Sequence, residues 1–290
     1  MNVIVVSDRS NFYIANNISK ILGVENFIVE FDDDKKSVHL ISNFKKNVSC
    51  CFVIHSIMCD MNNDYMRLLF IINFLKKHNV NEIICVIPYF GYSRYDKFLN
   101  EFGFVVENIR YLGVRDIVSI DIHNPDIIEN FTYFHNVSVV ENYIKNFIDN
   151  KYSIVFPDNG SIRRFNTFKD ENNCVIINKT REYGSCYSSY RSGIIKGKDC
   201  CIVDDIIDTG TTIFNTTKIL HDRDACSITW FVSHFVSKNK NKILEYAKNL
   251  KVKRVCVLDT CVENDFDDSN DILCIFPCSY ILSDFLRKFL

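Results

Sequence analysis

Short apolar segments alternate with amphipathic segments along the whole chain. In the first half, runs of apolar residues predict β-strands, and segments with apolar residues at helical spacing predict α-helices. The predicted strands are residues 3–6, 27–31, 51–55, 83–87 and 117–120, and the predicted helices are residues 13–22, 65–77 and 105–112. Such alternation is typical of α/β proteins with a mostly parallel sheet.

The same alternation restarts after about residue 140. Strands are predicted at residues 154–156, 175–177, 201–203, 228–235 and 255–258, and helices at residues 162–168, 214–220 and 242–250. We therefore expect two tandem Rossmann-like α/β domains with mostly parallel sheets, covering residues 1–140 and 141–276. Residues 277–290 are expected to form a C-terminal helix that packs back on the first domain.

Composition narrows the class of protein. The chain has 290 residues and a net charge of −2, with no block of like charge, so nothing points to nucleic acid or an anionic membrane as a partner. No uninterrupted apolar run approaches the ~18 residues of a membrane span, and the N-terminus lacks a secretory signal pattern. We expect a cytoplasmic protein.

The cysteines fit the same expectation. The chain has 13 cysteines but no C-x-x-C pair, and several of them fall inside or beside apolar runs. These are Cys51, Cys85, Cys201, Cys226 and Cys256. We interpret them as small core residues in a reducing compartment rather than as a disulfide framework.

The segment 200–212 joins an apolar strand, a polar turn and the start of a helix. Its turn offers backbone N–H groups, hydroxyls and one glycine at a helix N-terminus, where a phosphate monoester binds favourably. Asp204 and Asp205 precede the turn, and carboxylates there can accept hydrogen bonds from the vicinal hydroxyls of a ribose. The spacing fits a ribose 5-phosphate, and the alternative is a solvated turn with a threonine cap. The turn residues are Asp208, Thr209, Gly210, Thr211 and Thr212.

A second polar cluster follows the predicted strand 83–87. Pro88 ends that strand, and three aromatic residues, Gly91, Arg94 and Asp96 come directly after it. Open α/β sheets bind ligands at the carboxyl ends of their strands, and an arginine there can stack on a purine. Taken alone, these residues are compatible with a nucleotide site or with an aromatic patch at an interface.

Several of these segments resemble one enzyme family, the ribose-phosphate diphosphokinases. Residues 87–96 closely resemble its signature I-P-Y-F-x-Y-x-R-Q-D, and residues 204–212 resemble the phosphoribosyl-diphosphate motif that it shares with type I phosphoribosyltransferases. In the same order along the chain, residues 31–35 resemble F-x-D-G-E, 120–123 resemble V-D-L-H, 156–160 resemble S-P-D-x-G and 179–181 resemble K-x-R. His55 and Ser56 stand where the family has Q-S.

The resemblance implies two phosphoribosyltransferase-like domains and a reaction used in nucleotide biosynthesis. The diphosphoryl group of ATP passes to the 1-hydroxyl of ribose 5-phosphate, giving phosphoribosyl diphosphate and AMP. The matching residues would be Lys179 and Arg181 for catalysis, beside a flap at residues 182–191, with His123 and Asp158 as ligands of Mg²⁺.

The resemblance also implies the nucleotide site. Phe31, Asp33, Arg94, Tyr95 and Asp96 would bind ATP. Because the family's F-x-D-x-E hairpin enters a neighbouring subunit's site, a homo-oligomer with shared active sites is expected.

Four positions depart from the family pattern. Lys35 replaces an acid, Tyr95 replaces a glutamine, and Ser161 and Thr211 each replace a glycine. These departures leave one alternative open, a catalytically silent regulatory subunit that associates with an active synthetase. The motif at residues 204–212 leaves a second one open, a phosphoribosyltransferase that consumes the diphosphate.

Overall fold

The computed structural model describes residues 2–32, 37–40, 47–58, 60–94, 99–147, 152–165, 174–182, 185–261 and 270–290. The chain divides into two compact units. Unit 1 comprises residues 1–137 and 277–290, and unit 2 comprises residues 138–276. Each unit is built around one seven-stranded sheet.

Unit 1 begins with a strand buried along its whole length, as a central strand of a parallel sheet must be. Its strands are β1 (Val3–Ser7), β2 (Glu25–Asp32), β3 (Ser37–Leu40), β4 (Cys50–Ile54), β5 (Glu82–Ile87), β6 (Asp116–Ile120) and β7 (Phe134–Val137). Its helices are α1 (Phe12–Leu22), α2 (Met61–Lys77), α3 (Leu99–Tyr111) and, near the C-terminus, α8 (Ser279–Leu286). Helix α8 packs against α1, where Arg287 donates a hydrogen bond to the carbonyl of Ile21.

Unit 2 has its own set of elements. Its strands are β8 (Tyr152–Phe156), β9 (Cys174–Glu182), β10 (Ser185–Ser192), β11 (Asp199–Ile207), β12 (Ser227–Phe235), β13 (Arg254–Leu258) and β14 (Leu273–Phe276). Its helices are α4 (Val139–Phe147), α5 (Asn159–Arg164), α6 (Thr211–His221) and α7 (Lys240–Asn249). The single tryptophan of the chain, Trp230, is fully buried in β12.

The two sheets have the same topology. Unit 1 has the strand order β3-β2-β1-β4-β5-β6-β7, and unit 2 has β10-β9-β8-β11-β12-β13-β14. In each sheet the third strand along the chain runs antiparallel to the second, and all other neighbours are parallel. The prediction of two tandem, mostly parallel α/β halves is confirmed.

The strand order also locates the expected ligand edge. In each sheet the second and third strands are added on one side of the first strand, and all later strands are added on its other side. The order of strand addition therefore reverses between β1 and β4 in unit 1 and between β8 and β11 in unit 2. Ligands of open α/β sheets bind at such a switch point, beyond the carboxyl ends of the strands. Asp8, His55, Asp158 and Asp204 all lie at these two places.

The structure adds to or corrects the sequence-based expectations at several places. In their described part, the residues expected to form a flap, 182–191, belong to the antiparallel hairpin of β9 and β10. Cys226 is exposed before β12, whereas Cys51, Cys85, Cys201 and Cys256 are buried as expected. The strands β3, β7 and β14 were not predicted: each is a strand of only four residues at a sheet edge, β3 and β7 mix apolar with polar residues, and β14 is apolar but very short. None of the helices in the described part of the chain has the length and apolar character that a membrane crossing requires.

Candidate functional site

The turn between β11 and α6 carries the residues that were predicted to form a phosphate cradle. Strand β11 ends at Ile207, and α6 begins at Thr211 after Gly210 takes a left-handed conformation with φ of 79°. The hydroxyls of Thr209 and Thr211 lie 3.1 Å apart and both residues are exposed. Two hydroxyls and the first backbone N–H groups of an 11-residue helix are therefore presented at one place.

Gly210 is required at this turn for two separate reasons. Its positive φ disfavours any residue with a side chain. A Cβ atom there would also lie 2.5 Å from the ring of Phe214. Phe214 is held in turn by the rings of Trp230 and Tyr246, at centroid distances of 5.8 and 4.5 Å. The turn and the aromatic packing beneath α6 therefore depend on each other.

Asp204 and Asp205 lie behind this turn, in the last part of β11, and they are only 6% and 2% exposed. Arg164 of α5 contacts both, with its Nη2 3.1 Å from Asp204 Oδ1 and 2.8 Å from Asp205 Oδ1. The Arg164 side chain is itself 8% exposed. Two buried carboxylates at adjacent positions thus share one buried guanidinium, which supplies the counter-charge that burial demands.

Burial is the largest influence on the acid pair. It raises the pKa of Asp204 well above the ordinary carboxyl value, and the neighbouring charge of Asp205 raises it further. Arg164 acts in the opposite direction and lowers the pKa of Asp204. Sequence reasoning found both acids but missed Arg164. The only available signal was a cation following the P-D-x-G segment in a predicted helix.

Asp158 begins α5 and has a structural task there. Its Oδ1 accepts a hydrogen bond from the backbone N–H of Ser161 at 2.9 Å, and the Ser161 hydroxyl donates to the Asp158 carbonyl at 2.8 Å. Ser161, which replaces a family glycine, is therefore compatible with the turn and completes a capping box. The Asp158 side chain is 24% exposed.

Lys179 and Arg181 lie two residues apart in β9. Their register partners in β10 are Ser188 and Cys186. Alternate residues of a strand share one face, so the backbone is compatible with two cations on the same side of this hairpin. In the sheet of unit 2, β9 and β10 occupy the place that β2 and β3 occupy in the sheet of unit 1.

Unit 1 carries the described part of the predicted nucleotide site. Phe31 is half-buried near the end of β2, and the guanidinium of Arg67 lies 5.0 Å from its ring centroid. Arg94 ends the short helical turn Gly91–Arg94 after β5, and His123 is half-buried after β6. Asp33, Lys35, Tyr95 and Asp96 lie outside the described residues.

Two of the three aromatic residues after β5 belong to the core. Tyr89 and Phe90 are 4% and 2% exposed, and the Phe90 ring packs on Phe102 and Phe134. Tyr92 is half-buried and donates a hydrogen bond to the side chain of Asn62. In this loop the arginine, rather than an aromatic platform, is the residue suited to a ligand.

The two predicted metal ligands belong to different units, His123 to unit 1 and Asp158 to unit 2. Among the described residues, no group of three or more His, Cys, Asp or Glu side chains could by itself hold a metal ion. Mg²⁺ in nucleotide enzymes needs only one or two carboxylates, with waters and substrate phosphates completing its shell, so a partly exposed carboxylate at a strand end fits that chemistry.

Comparison with known proteins covers most of the chain. Residues 3–103 match the family profile described as the N-terminal domain of ribose phosphate pyrophosphokinase, and residues 161–263 match a phosphoribosyl transferase domain. A ribose-phosphate pyrophosphokinase from Caldanaerobacter subterraneus subsp. tengcongensis is 28% identical over 275 residues, covering 88% of this chain and 85% of that protein. One from Ureaplasma parvum serovar 3 is 26% identical, covering 95% and 88%.

A solved structure supports the fold. The crystal structure of phosphoribosylpyrophosphate synthetase from Mycobacterium smegmatis superimposes with a TM-score of 0.83 at 22% identity, covering 100% of this chain and 99% of that chain. Both family profiles, the near full-length relatives and the paired sheets agree with the motifs read from the sequence. The chain belongs to the ribose-phosphate pyrophosphokinase family.

Proposed function

We propose that this protein transfers the diphosphoryl group of ATP to the 1-hydroxyl of ribose 5-phosphate, forming phosphoribosyl diphosphate and AMP. The observation that carries the proposal is the match of residues 3–103 to the N-terminal domain of ribose phosphate pyrophosphokinase, together with the near full-length similarity to proteins of that name. The turn between β11 and α6, with its helix N-terminus, its paired threonine hydroxyls and the acid pair behind it, supports the sugar-phosphate part of the proposal. Unit 2 would hold the acceptor sugar there. The 5-phosphate would bind at residues 208–212, and the carboxylates would accept hydrogen bonds from the ribose hydroxyls.

Arg164 gives the acid pair a defined role in this scheme. An anionic sugar phosphate binds poorly beside two uncompensated carboxylates, because like charges repel strongly where water is excluded. The guanidinium offsets that repulsion and favours ionised Asp204, the form that accepts hydrogen bonds. Each carboxylate keeps several lone-pair sites, so pairing with Arg164 does not exhaust its capacity to accept from a sugar.

The chemistry itself would depend on cations and on positioning. The transferring group carries negative charge on its oxygens, and Lys179 and Arg181 in the β9–β10 hairpin would stabilise that charge. His123 and Asp158 would hold Mg²⁺, which when bound neutralises charge on the phosphates of ATP. Phe31, Asp33, Arg94, Tyr95 and Asp96 would bind the nucleotide.

The proposal includes a nucleotide site shared by two subunits, as the family's hairpin implies. Phe31 lies near the end of β2 and Arg94 follows β5, and two strands, β1 and β4, separate β2 from β5 in the sheet. In a homo-oligomer, Phe31 of one subunit and Arg94 of another would contact the same adenine.

The direct test is product formation. Purified protein is incubated with Mg²⁺, ATP and ribose 5-phosphate, and AMP and phosphoribosyl diphosphate are quantified by chromatography. Equal amounts of both products are expected, with none when ribose 5-phosphate is omitted. Absence of AMP would favour a silent regulatory subunit, and diphosphate release that requires a nucleobase and phosphoribosyl diphosphate would favour a phosphoribosyltransferase.

A further inference from the structure

A buried charged pair occupies the switch point of unit 1. Asp8 follows β1 and His55 follows β4, two central parallel strands paired as far as Ser7 and Ile54. The side chains of Asp8 and His55 are 6% and 1% exposed. In unit 2 the equivalent place holds Asp204, Asp205 and Arg164 of the proposed sugar site. In unit 1 the protein's own groups fill it.

The surroundings of His55 favour the doubly protonated ring. Its Nδ1 lies 3.2 Å from Asp8 Oδ2, and its Nε2 lies 2.8 Å from the backbone carbonyl oxygen of Asp64. Carboxylates and carbonyls only accept hydrogen bonds, whereas a neutral imidazole has one donor and one acceptor nitrogen. The Nδ1 contact with Asp8 has an ion-pair distance without the alignment of a hydrogen bond, and two acceptors facing the ring favour the imidazolium because both stabilise its charge.

The charges around the His55 ring also favour its protonated form. Burial by itself lowers the pKa of His55, but pairing with Asp8 and the bond to Asp64 raise it on balance above the ordinary value of 6.5. Burial by itself raises the pKa of Asp8, yet His55 holds it well below its usual range. Asp64 of α2 is the other ionisable group facing the ring, and Asp60 lies beside it.

Hydrogen bonds lead from this pair to the proposed nucleotide loop. Asp8 Oδ1 accepts from the side-chain amide of Asn11 at 2.9 Å, and Asn11 Oδ1 accepts from the backbone N–H of Ser56 at 3.1 Å. The Ser56 hydroxyl in turn accepts from the backbone N–H of Tyr89 at 3.3 Å. These links are buried. The pair is thus connected to residues 89–94, which carry Arg94.

Backbone contacts complete the connection. Ile57 donates to the carbonyl of Tyr89 at 2.9 Å, and Gly91 donates to the carbonyl of Ile57 at 3.0 Å. The approach at Gly91 is so close that a Cβ atom would lie 2.8 Å from the Ile57 oxygen. Backbone hydrogen bonds and close packing therefore couple the chain after His55 to the loop before Arg94.

We propose that His55, as an imidazolium paired with Asp8, is a positioning residue for the loop at residues 89–94 and thereby for the nucleotide that Arg94 binds. The nucleotide part rests on the proposed function, whereas the effect on the loop does not. Loss of the His55 proton leaves Asp8 buried without its counter-charge and one ring nitrogen facing an acceptor. The segment 55–58 then loosens, and the loop loosens with it.

The sign of the pH dependence follows from the raised pKa. The stabilisation is fully present below the unfolded-state pKa of histidine, and it is lost as pH rises through the higher folded-state pKa of His55. Loop protection and affinity for Mg-ATP should therefore both decline on the alkaline side of about pH 6.5, the ordinary value. A loop held by neutral hydrogen bonds alone would show no such dependence.

The test uses the full-length protein, His55→Gln and a matched control, His78→Gln, which alters an exposed histidine. Glutamine is the residue of the family pattern and retains a donor without the charge. Amide hydrogen exchange of Ile57, Tyr89 and Gly91 is followed from pH 6 to 9 and corrected for intrinsic exchange. At pH 6 we expect exchange about tenfold faster or more in His55→Gln, the size of a lost charged hydrogen bond.

Wild-type protein and His78→Gln should lose this protection as pH rises, and His55→Gln should be pH-independent. The affinity for Mg-ATP, measured by calorimetry over the same range, should follow the exchange. Equal exchange in wild type and His55→Gln at every pH would overturn the proposal. So would a neutral His55 ring in the nitrogen NMR spectrum of the wild-type protein at pH 6, a measurement that needs no variant to fold. If Mg-ATP does not bind at any pH, the proposed function fails while exchange still decides the role of His55.

Discussion

The buried Arg164 gives the most informative prediction for unit 2. Replacing it with glutamine removes the guanidinium that contacts both Asp204 and Asp205, which are 6% and 2% exposed. Removing one partner of a buried ion pair typically destabilises a protein by about 3–5 kcal/mol. Whole domains are stable by only about 5–15 kcal/mol, so Arg164→Gln should remove a large fraction of the stability of unit 2.

The chain provides its own reporter for the measurement. Trp230 is the only tryptophan, it is fully buried in unit 2, and it donates a hydrogen bond to Thr217 of α6. Its fluorescence during urea denaturation therefore follows this unit. With a denaturant slope of about 2 kcal/mol per molar, the midpoint of Arg164→Gln should fall by about 1.5–2.5 M.

Two further variants separate charge from packing. Arg163→Gln changes the exposed neighbour in α5 and should stay within about 0.5 kcal/mol of wild type. Adding Asp205→Asn to Arg164→Gln removes the nearer of the two stranded carboxylates, and it should restore at least half of the lost stability. If Arg164→Gln denatures at the same urea concentration as Arg163→Gln, the ion-pair reasoning is wrong.

Three other predictions concern the proposed sugar site and the chemistry. Gly210→Ala should raise KM for ribose 5-phosphate and lower stability by more than the ~1–2 kcal/mol of a left-handed alanine, because its Cβ meets an aromatic ring. Gly197→Ala, with positive φ but open space around it, should show the conformational cost alone, and equal losses would contradict the steric argument. Lys179→Ala and Arg181→Ala should each lower kcat by ~10² or more with little change in KM, so an unchanged kcat would remove them from the mechanism. Burial raises the pKa of Asp204, so this carboxylate should become protonated at a higher pH than an ordinary carboxyl and lose its capacity to accept from the sugar. KM for ribose 5-phosphate should therefore rise as pH is lowered from 8 to 5. A flat KM profile over that range would argue against an ionised acceptor.

Much of the candidate site could be read from local order along the chain. The turn before α6 is contiguous, so a phosphate cradle at Asp208, Thr209 and Gly210 could be predicted from spacing along the chain, and it stays a prediction. Arg164 could not be assigned that way. It is distant in sequence from Asp204, and only the pairing of β8 beside β11 brings α5 against the acid pair.

The same limit applies to His55. In sequence it is a polar residue at the end of an apolar strand, at a position where the family pattern has glutamine. Its charge state depends on Asp8, which lies 47 positions earlier, and on a backbone carbonyl of α2. A titratable group's protonation is set by neighbours in space, which a strand pattern does not specify.

By itself, the sequence determined the class of fold, its duplication and the family, because strand and helix periodicity and contiguous motifs are local properties of the chain. Tertiary structure alone decided which charges neutralise one another. Parallel strand pairing places Asp8 beside His55 in one sheet, and Asp204 and Asp205 beside Arg164 in the other. Long-range pairing sets burial and partners, and those two quantities govern whether a buried carboxylate or imidazole carries its charge.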